Sequence, residues 1–165
     1  MIFDAMEPFA AALAPRRALI GLDLGTKTIG VAVSDTRLGI ASPLETVRKQ
    51  RFGLDAARLL EIVAGREIGG GVIGLPRNMD GSEGPRAQSA RAFGRNLAAL
   101  TDLPMAFWDE RLSTVAVTRA LIEADASRAK RARVVDMMAA AYILQGVLDS
   151  LRRSEPAGQA RQPDI

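Results

Sequence analysis

The stretch Ala18-Leu19-Ile20-Gly21-Leu22-Asp23-Leu24-Gly25-Thr26, followed at once by Ile29-Gly30-Val31-Ala32-Val33-Ser34-Asp35, decides how this chain is read. The first run is apolar at consecutive positions, the pattern of a central strand buried on both faces. Gly25 and Thr26 break it and a second apolar run begins, so the pair reads as a hairpin with Asp23 at its turn end. A buried carboxylate without a counter-charge is costly, so such a group normally pairs with a cation or coordinates a metal. The competing structural reading has Asp23 cap the turn through the backbone N–H groups of Gly25 to Lys27.

Working outward, Ile40 to Val47 reads as a third strand, confined to an edge or a bulge by Pro43. Phe52, Ala56, Leu59, Leu60 and Val63 recur at helical spacing and predict a helix from Phe52 to Gly65. Gly71 to Leu75 is a short buried strand stopped by Pro76. A polar loop, Pro76 to Gly84, precedes a helix from Pro85 to Leu100, and Pro104 to Trp108 is a further strand. Ser113 caps a predicted helix to Ala124, and a basic connector leads to a last helix from Val134 to Leu151. This order of strands and helices, with doubly apolar central strands, predicts an α/β layered fold with a mixed central sheet flanked by helices. Residues 1–16 read as a flexible leader, 17–152 as one domain, and 153–165, with Pro156, Gly158 and Pro163, as a disordered tail.

Composition removes whole classes of chemistry. The 165 residues include no cysteine and no histidine, which excludes Cys/His zinc sites, thiol redox chemistry and Ser-His-Asp triads. Any metal is therefore a hard cation held by oxygen, which points to magnesium or manganese. The formal charge is +3 and the cations are mostly arginine, the lysines being Lys27, Lys49 and Lys130. Arginine grips phosphate bidentately and suits a nucleic-acid partner, although genomic base composition produces the same bias. No apolar run approaches the ~20 residues that span a bilayer, and the amino terminus lacks a basic start before its short apolar stretch. The expectation is a soluble cytoplasmic protein.

Two further segments carry acids. In the last helix Ala140, Ile143, Val147 and Leu151 form one stripe, and Asp136 precedes the first two by four and seven residues, which aligns it with that stripe. Its expected place in the helix's first turn also favours an anion. At the end of the strand before Leu112, Asp109 and Glu110 are adjacent, so they face opposite ways and cannot serve one site equally. One of them is free for a site while the other pairs with Arg111 or caps the next helix; spacing does not choose. Around these acids stand candidate phosphate contacts: Arg128, Lys130, Arg131 and Arg133 before Asp136, Arg77, Asn78 and Arg86 at the polar loop, Arg91 and Arg95 on one helix face, and Arg111. Charge runs are more often solvated faces, but a basic segment abutting a buried acid is less ordinary.

Several strings in order sharpen the reading: Gly21-Leu22-Asp23-Leu24-Gly25 with Ile29 to Asp35, Gly74-Leu75-Pro76-Arg77-Asn78-Met79-Asp80-Gly81, Asp109-Glu110-Arg111-Leu112-Ser113-Thr114, and Val135-Asp136-Met137-Met138-Ala139-Ala140 with Ile143-Leu144-Gln145. From Ala18 to Leu151 the chain resembles the YqgF family, also called RuvX, bacterial relatives of the junction resolvase RuvC. The resemblance implies a ribonuclease H-like fold and a nuclease that matures the 5′ end of pre-16S ribosomal RNA, or resolves four-way DNA junctions. It places the family's acids on Asp23, Glu110 and Asp136, choosing Glu110 over Asp109, and implies Mg2+ or Mn2+ as the cofactor. A fourth acid found in RuvC-like enzymes has no counterpart here, where Met or Ala follows Asp136. The implied partners are pre-rRNA, branched DNA and ribosomal precursor particles, with the protein a monomer or a homodimer.

Two rival readings compete. Asp23-Leu24-Gly25-Thr26 also resembles the first phosphate loop of actin-like ATPases and sugar kinases, which need a second such loop on a second domain that a chain this short lacks. A catalytically idle module that holds rRNA on the same basic surface is the other, and the presence of all three acids speaks against it.

Overall fold

A computed structural model of the protein describes residues 1–113 and 128–155, with the side chains of 128–136 outside the described set. Its strands are β1 (Ile2–Phe3), β2 (Ala18–Leu24), β3 (Thr28–Ser34), β4 (Ala41–Arg48), β5 (Ile68–Leu75) and β6 (Met105–Asp109). Its helices are α1 (Met6–Ala12), α2 (Phe52–Gly65), α3 (Pro85–Ala98) and α4 (Arg128–Arg153), with a 3-10 turn at Glu110–Leu112. The strands form one six-stranded sheet in the order β1-β6-β5-β2-β3-β4. β2, β3 and β4 make an antiparallel meander, while β2, β5, β6 and β1 pair in parallel.

The opening run is central as its apolar pattern demands: β2 lies between β5 and β3, and Ala18 to Asp23 are all buried. Alternation sorts its side chains. Ala18, Ile20 and Leu22 join one cluster with Ala56, Leu59 and Ile62 of α2 and Ala87, Ala90 and Leu97 of α3. Leu19 joins the other, with Val72, Ala106, Trp108, Phe9 of α1 and Ala140, Ile143, Leu144, Val147 and Leu148 of α4. Gly21 and Asp23 follow Leu19 in that alternation, so Asp23 faces the α4 side. Gly21 is what lets α4 lie flat there: a Cβ on it would come within 2.8 Å of Leu144 Cβ and 3.1 Å of the Ala140 carbonyl. Pro43 meets both conditions set for it, since β4 is the sheet edge and its register with β3 shifts between Val31 and Ala32, which face Glu45 and Pro43.

Two expectations are corrected. Residues 1–16 are not a loose leader: Ile2 and Phe3 pair with Met105 and Ala106, and α1 drives Phe9 to 0% exposure. Gly70 makes room for it, because a Cβ there would overlap Leu13 and Leu19 and lie 3.3 Å from the Phe9 ring. The basic segment before Asp136 is not a connector either. α4 already includes Arg128, because Arg, Lys and Ala are all strong helix formers and nothing in Arg128-Ala129-Lys130-Arg131-Ala132-Arg133 breaks a helix. Asp136 therefore lies beyond the first turn, and the dipole contribution expected there falls away. The helix expected from Ser113 to Ala124 lies outside the described residues apart from Ser113, and so does the tail from residue 156.

Candidate active site

Asp23 is 1% exposed near the carboxyl end of β2, opposite Gly30 of β3. On its other side the β2–β5 register pairs Gly21 with Val72 and Leu22 with Ile73, so one step further sets Asp23 beside Gly74. Gly74 is itself paired with Trp108 of β6, and Leu75 with Asp109. The chain then turns at Glu110, whose carbonyl accepts hydrogen bonds from the Ser113 N–H (3.2 Å) and hydroxyl (3.0 Å). That turn folds the half-buried Glu110 back over the sheet. Its Oε1 stands 2.7 Å from where a Gly74 Cβ would project, on the side covered by Ile143 of α4. Asp23 and Glu110 thus approach the same patch of the same sheet face, one from each neighbour of β5.

Asp109 does something else. Its carboxylate accepts from the Arg111 N–H (3.0 Å), from Arg111 Nε (3.0 and 3.1 Å) and from Nη2 (2.6 Å). The Arg111 guanidinium, opposed by partial burial, holds the Asp109 carboxyl below the usual carboxylate range. Asp109 is the acid that caps the turn and pairs with Arg111. The backbone of Asp136 lies in α4, and its side chain is outside the described residues, as are those of Arg128, Lys130, Arg131 and Arg133. Among the described residues, no group of three potential metal-ligating side chains assembles.

The polar loop after β5 is a closed turn rather than a row of open donors. The Asn78 N–H donates to the Ser82 carbonyl (2.9 Å), the Gly81 N–H to the Asn78 carbonyl (2.9 Å), and the Ser82 N–H to Asp80 Oδ1 (2.9 Å). Gly81 takes a φ of +86°, where a side chain is disfavoured. The Asn78 amide is occupied with the Ser82 hydroxyl at 3.0 Å. Arg111 is tied to Asp109 and reaches the Met79 carbonyl at 3.4 Å, so it fastens this loop to the end of β6. Arg91, expected on a phosphate-binding face, binds Glu83 and Asp4 and stacks on Phe107, 5.0 Å from the ring centroid. Hydrogen bonding from Arg91 leads the causes that hold the Glu83 carboxyl low. Arg77 contacts Glu83 at 3.4 Å, but its buried Nε has no hydrogen-bond partner. Arg86 is exposed in the first turn of α3. The expected phosphate contacts thus divide: Arg86 is exposed, Arg77 pairs with Glu83 and has its Nε buried, and Asn78, Arg91 and Arg111 are engaged in structure.

The donor chemistry fits a hard divalent cation. The carboxylates are oxygen ligands in a chain with neither His nor Cys, and the missing Cβ of Gly74 is what admits the Glu110 carboxylate to the sheet. One residue of this patch gives no sign among the acids and arginines, and it is Gly74. A glycine between Ile73 and Leu75 in a buried strand signals close approach by another group.

A family model described as "RuvX: Holliday junction resolvase" matches residues 17–150. Proteins of Ruegeria sp. (strain TM1040) and Ruegeria pomeroyi, each named "Putative pre-16S rRNA nuclease", are 66% identical over 152 residues, 92% of this chain and 97% and 99% of theirs. Among solved structures, T. thermophilus RuvC in complex with Holliday junction substrate is similar with a TM-score of 0.55 at 16% identity, across 84% of this chain and 97% of that one. The yeast mitochondrial Holliday junction resolvase Ydc2 is similar with a TM-score of 0.50 at 11% identity, across 90% and 86% of the two chains. At those identities the structures show a shared ribonuclease H-like fold, and the α/β mixed-sheet expectation stands. Given the family model's reach and relatives two-thirds identical along nearly their whole length, this chain belongs to the RuvX family of nucleases.

Proposed function

We propose that this protein is a divalent-metal-dependent nuclease that hydrolyses phosphodiester bonds in maturing the 5′ end of pre-16S rRNA, with Asp23, Glu110 and Asp136 holding Mg2+ or Mn2+. The observation that carries the reading is the approach of a buried Asp23 and the Glu110 carboxylate to one patch over Gly74. The course of α4 supports Asp136 as the third acid. The Ala140 carbonyl and Leu144 sit over Gly21 of β2, whereas Gln145 and Arg152, further along, bond Gly39 in the turn leading out of β3. The helix therefore runs opposite to β2, and one turn back from Ala140 carries the chain toward the end where Asp23 lies.

Asp23, Glu110 and Asp136 would hold a divalent ion, which would supply charge neutralisation at a phosphoryl oxygen and a more acidic water. The protein's own contribution is placement. Asp23 is fixed by the central strand and Glu110 by its pinned turn. Arg86, exposed in the first turn of α3, stands at the loop to grip phosphates. Arg128, Lys130, Arg131 and Arg133 precede Asp136 in α4 and supply further cations for phosphate contact. Such contacts position a strand and leave base identity unread.

The rRNA reading is preferred because relatives 66% identical across 92% of the chain carry that name. Resolution of four-way DNA is the second reading, favoured by the family model's description and by the fold shared with junction-bound RuvC. Cutting a two-fold junction symmetrically requires a dimer, whereas trimming an RNA end on ribosomal precursor particles in the cytoplasm is open to a monomer or a homodimer. Among the described residues no helix is long and apolar enough to cross a membrane. Incubating the protein with a pre-16S 5′ leader and with a four-way junction, in Mg2+ and in Mn2+, tests the proposal. Metal-dependent cleavage of the leader supports it, metal-dependent cleavage of the junction alone transfers it to DNA, and binding without cleavage returns the chain to an idle rRNA-holding module.

A further inference from the structure

We infer that Gly74 is a positioning residue for this site: its missing side chain is the berth into which the Glu110 carboxylate folds. The inference rests on the metal-site reading above. Gly74 lies in the buried run Val72-Ile73-Gly74-Leu75 of β5, between the strand that carries Asp23 and the strand that leads into Glu110. Adding a Cβ there places it 2.7 Å from Glu110 Oε1 and in overlap with Ile143 Cδ1, where carbon–oxygen contacts under 3.0 Å are not tolerated. Both obstructions are the far ends of flexible side chains and neither is backbone. An alanine is therefore accommodated by displacing Glu110 and Ile143, with the sheet kept. Gly21 differs: its obstructions are Leu144 Cβ and the Ala140 carbonyl, which cannot swing away, so Gly21 serves helix packing.

Gly74 thus touches no substrate and acts through Glu110. The remainder of the turn is tied down by Ser113 on the Glu110 carbonyl and by Arg111 on Asp109. Displaced from its berth, the Glu110 carboxylate leaves the patch over Gly74, where Asp23 stands on the neighbouring strand.

The test is a double-mutant cycle between Gly74→Ala and Glu110→Ala, made in an Ile143→Val background so that the Cδ1 overlap is absent throughout. Three quantities are read: Mn2+ affinity by calorimetry without nucleic acid, and kcat and KM for cleavage. Gly74→Ala is expected to weaken Mn2+ binding and lower kcat by about 10–100-fold, the scale for residues that orient metal ligands, with KM changed less than about twofold. Added to Glu110→Ala it is expected to cost nothing further, because its effect passes through that carboxylate. Unaltered Mn2+ affinity in Gly74→Ala, or a loss that adds in full to that of Glu110→Ala, overturns the inference and leaves the metal-site reading intact. Failure of the Ile143→Val parent and the unsubstituted protein to bind Mn2+ overturns both.

Discussion

At the residue scale the adjacent acids Asp109 and Glu110 show how one strand end divides two tasks. Asp109 caps the 3-10 turn and grips Arg111, while Glu110 folds back over Gly74. Asp109→Asn is expected to cost no more than about 1 kcal/mol, since the Arg111 side chain is 32% exposed and solvent screens the pair. It should leave cleavage within severalfold of normal, whereas Glu110→Gln should lower kcat on the order of 10²-fold or more, the scale for losing one preorganised stabilising group. Thermal melts and single-turnover cleavage separate the two. The pH dependence follows from the direction of the shift. Asp109 is held below its unfolded value of ~3.9, so its contribution is complete above about pH 4 and is lost as the pH falls through the folded value. Asp80, through the Ser82 hydroxyl and N–H, and Glu83, through Arg91, shift the same way at the same end of the sheet. Trp108, the chain's single tryptophan and the neighbour of Asp109, reports on this. Its emission should hold steady from neutral pH to about 4 and change below that, and a transition near pH 6 instead would contradict the assignment. Spacing leaves Asp109 and Glu110 undecided because alternation only says that they differ; the turn at Ser113 sets one on Arg111 and the other over Gly74.

At the element scale the central strands and α2 are legible in the sequence because their patterns are local. Continuous apolar runs mark β2 and β3, and helical spacing marks Phe52 to Gly65, where α2 is found. The amino-terminal β1 and α1 are not legible, since a two-residue strand and a seven-residue helix carry too little periodicity and are held by distant partners. Gly70, within Gly69-Gly70-Gly71, is the available sign, a gap in a strand that Phe9 of α1 helps to fill. Phe9→Ala should therefore destabilise the protein by about 3–5 kcal/mol in urea unfolding; a change under about 1 kcal/mol would mean that α1 is an ornament. The early start of α4 is hidden for the opposite reason, because a run of basic residues reads as a break although each of them favours helix. Residues three apart share a helix face, which groups Arg128 with Arg131 and Lys130 with Arg133. Neutralising Arg131 and Arg133 together should weaken binding to all nucleic-acid sequences alike and flatten the log–log salt dependence by ~1 per lost contact. An unaltered slope in fluorescence anisotropy would make this segment a solvated face.

At the scale of the whole molecule, the sheet is a scaffold that brings acids from distant parts of the sequence to one face. Its two outer layers are unequal: α2 and α3 pack on one face, and α4 with α1 on the other. The absence of His and Cys is legible in the composition and restricts the ligands to oxygen, and the order of the motifs names the fold. The convergence of Asp23 with Glu110 is not legible, because it depends on β5 lying between their strands and on a glycine there. The most direct test of the central claim is cleavage of a pre-16S 5′ leader by the unsubstituted protein and by Asp23→Asn, with Mg2+ or Mn2+ and with chelator, alongside a binding titration. The account predicts cleavage by the unsubstituted protein only with metal, none by Asp23→Asn under any condition, and equal or tighter RNA binding by the variant. Cleavage by Asp23→Asn at the normal rate, or cleavage undiminished in chelator, would contradict it.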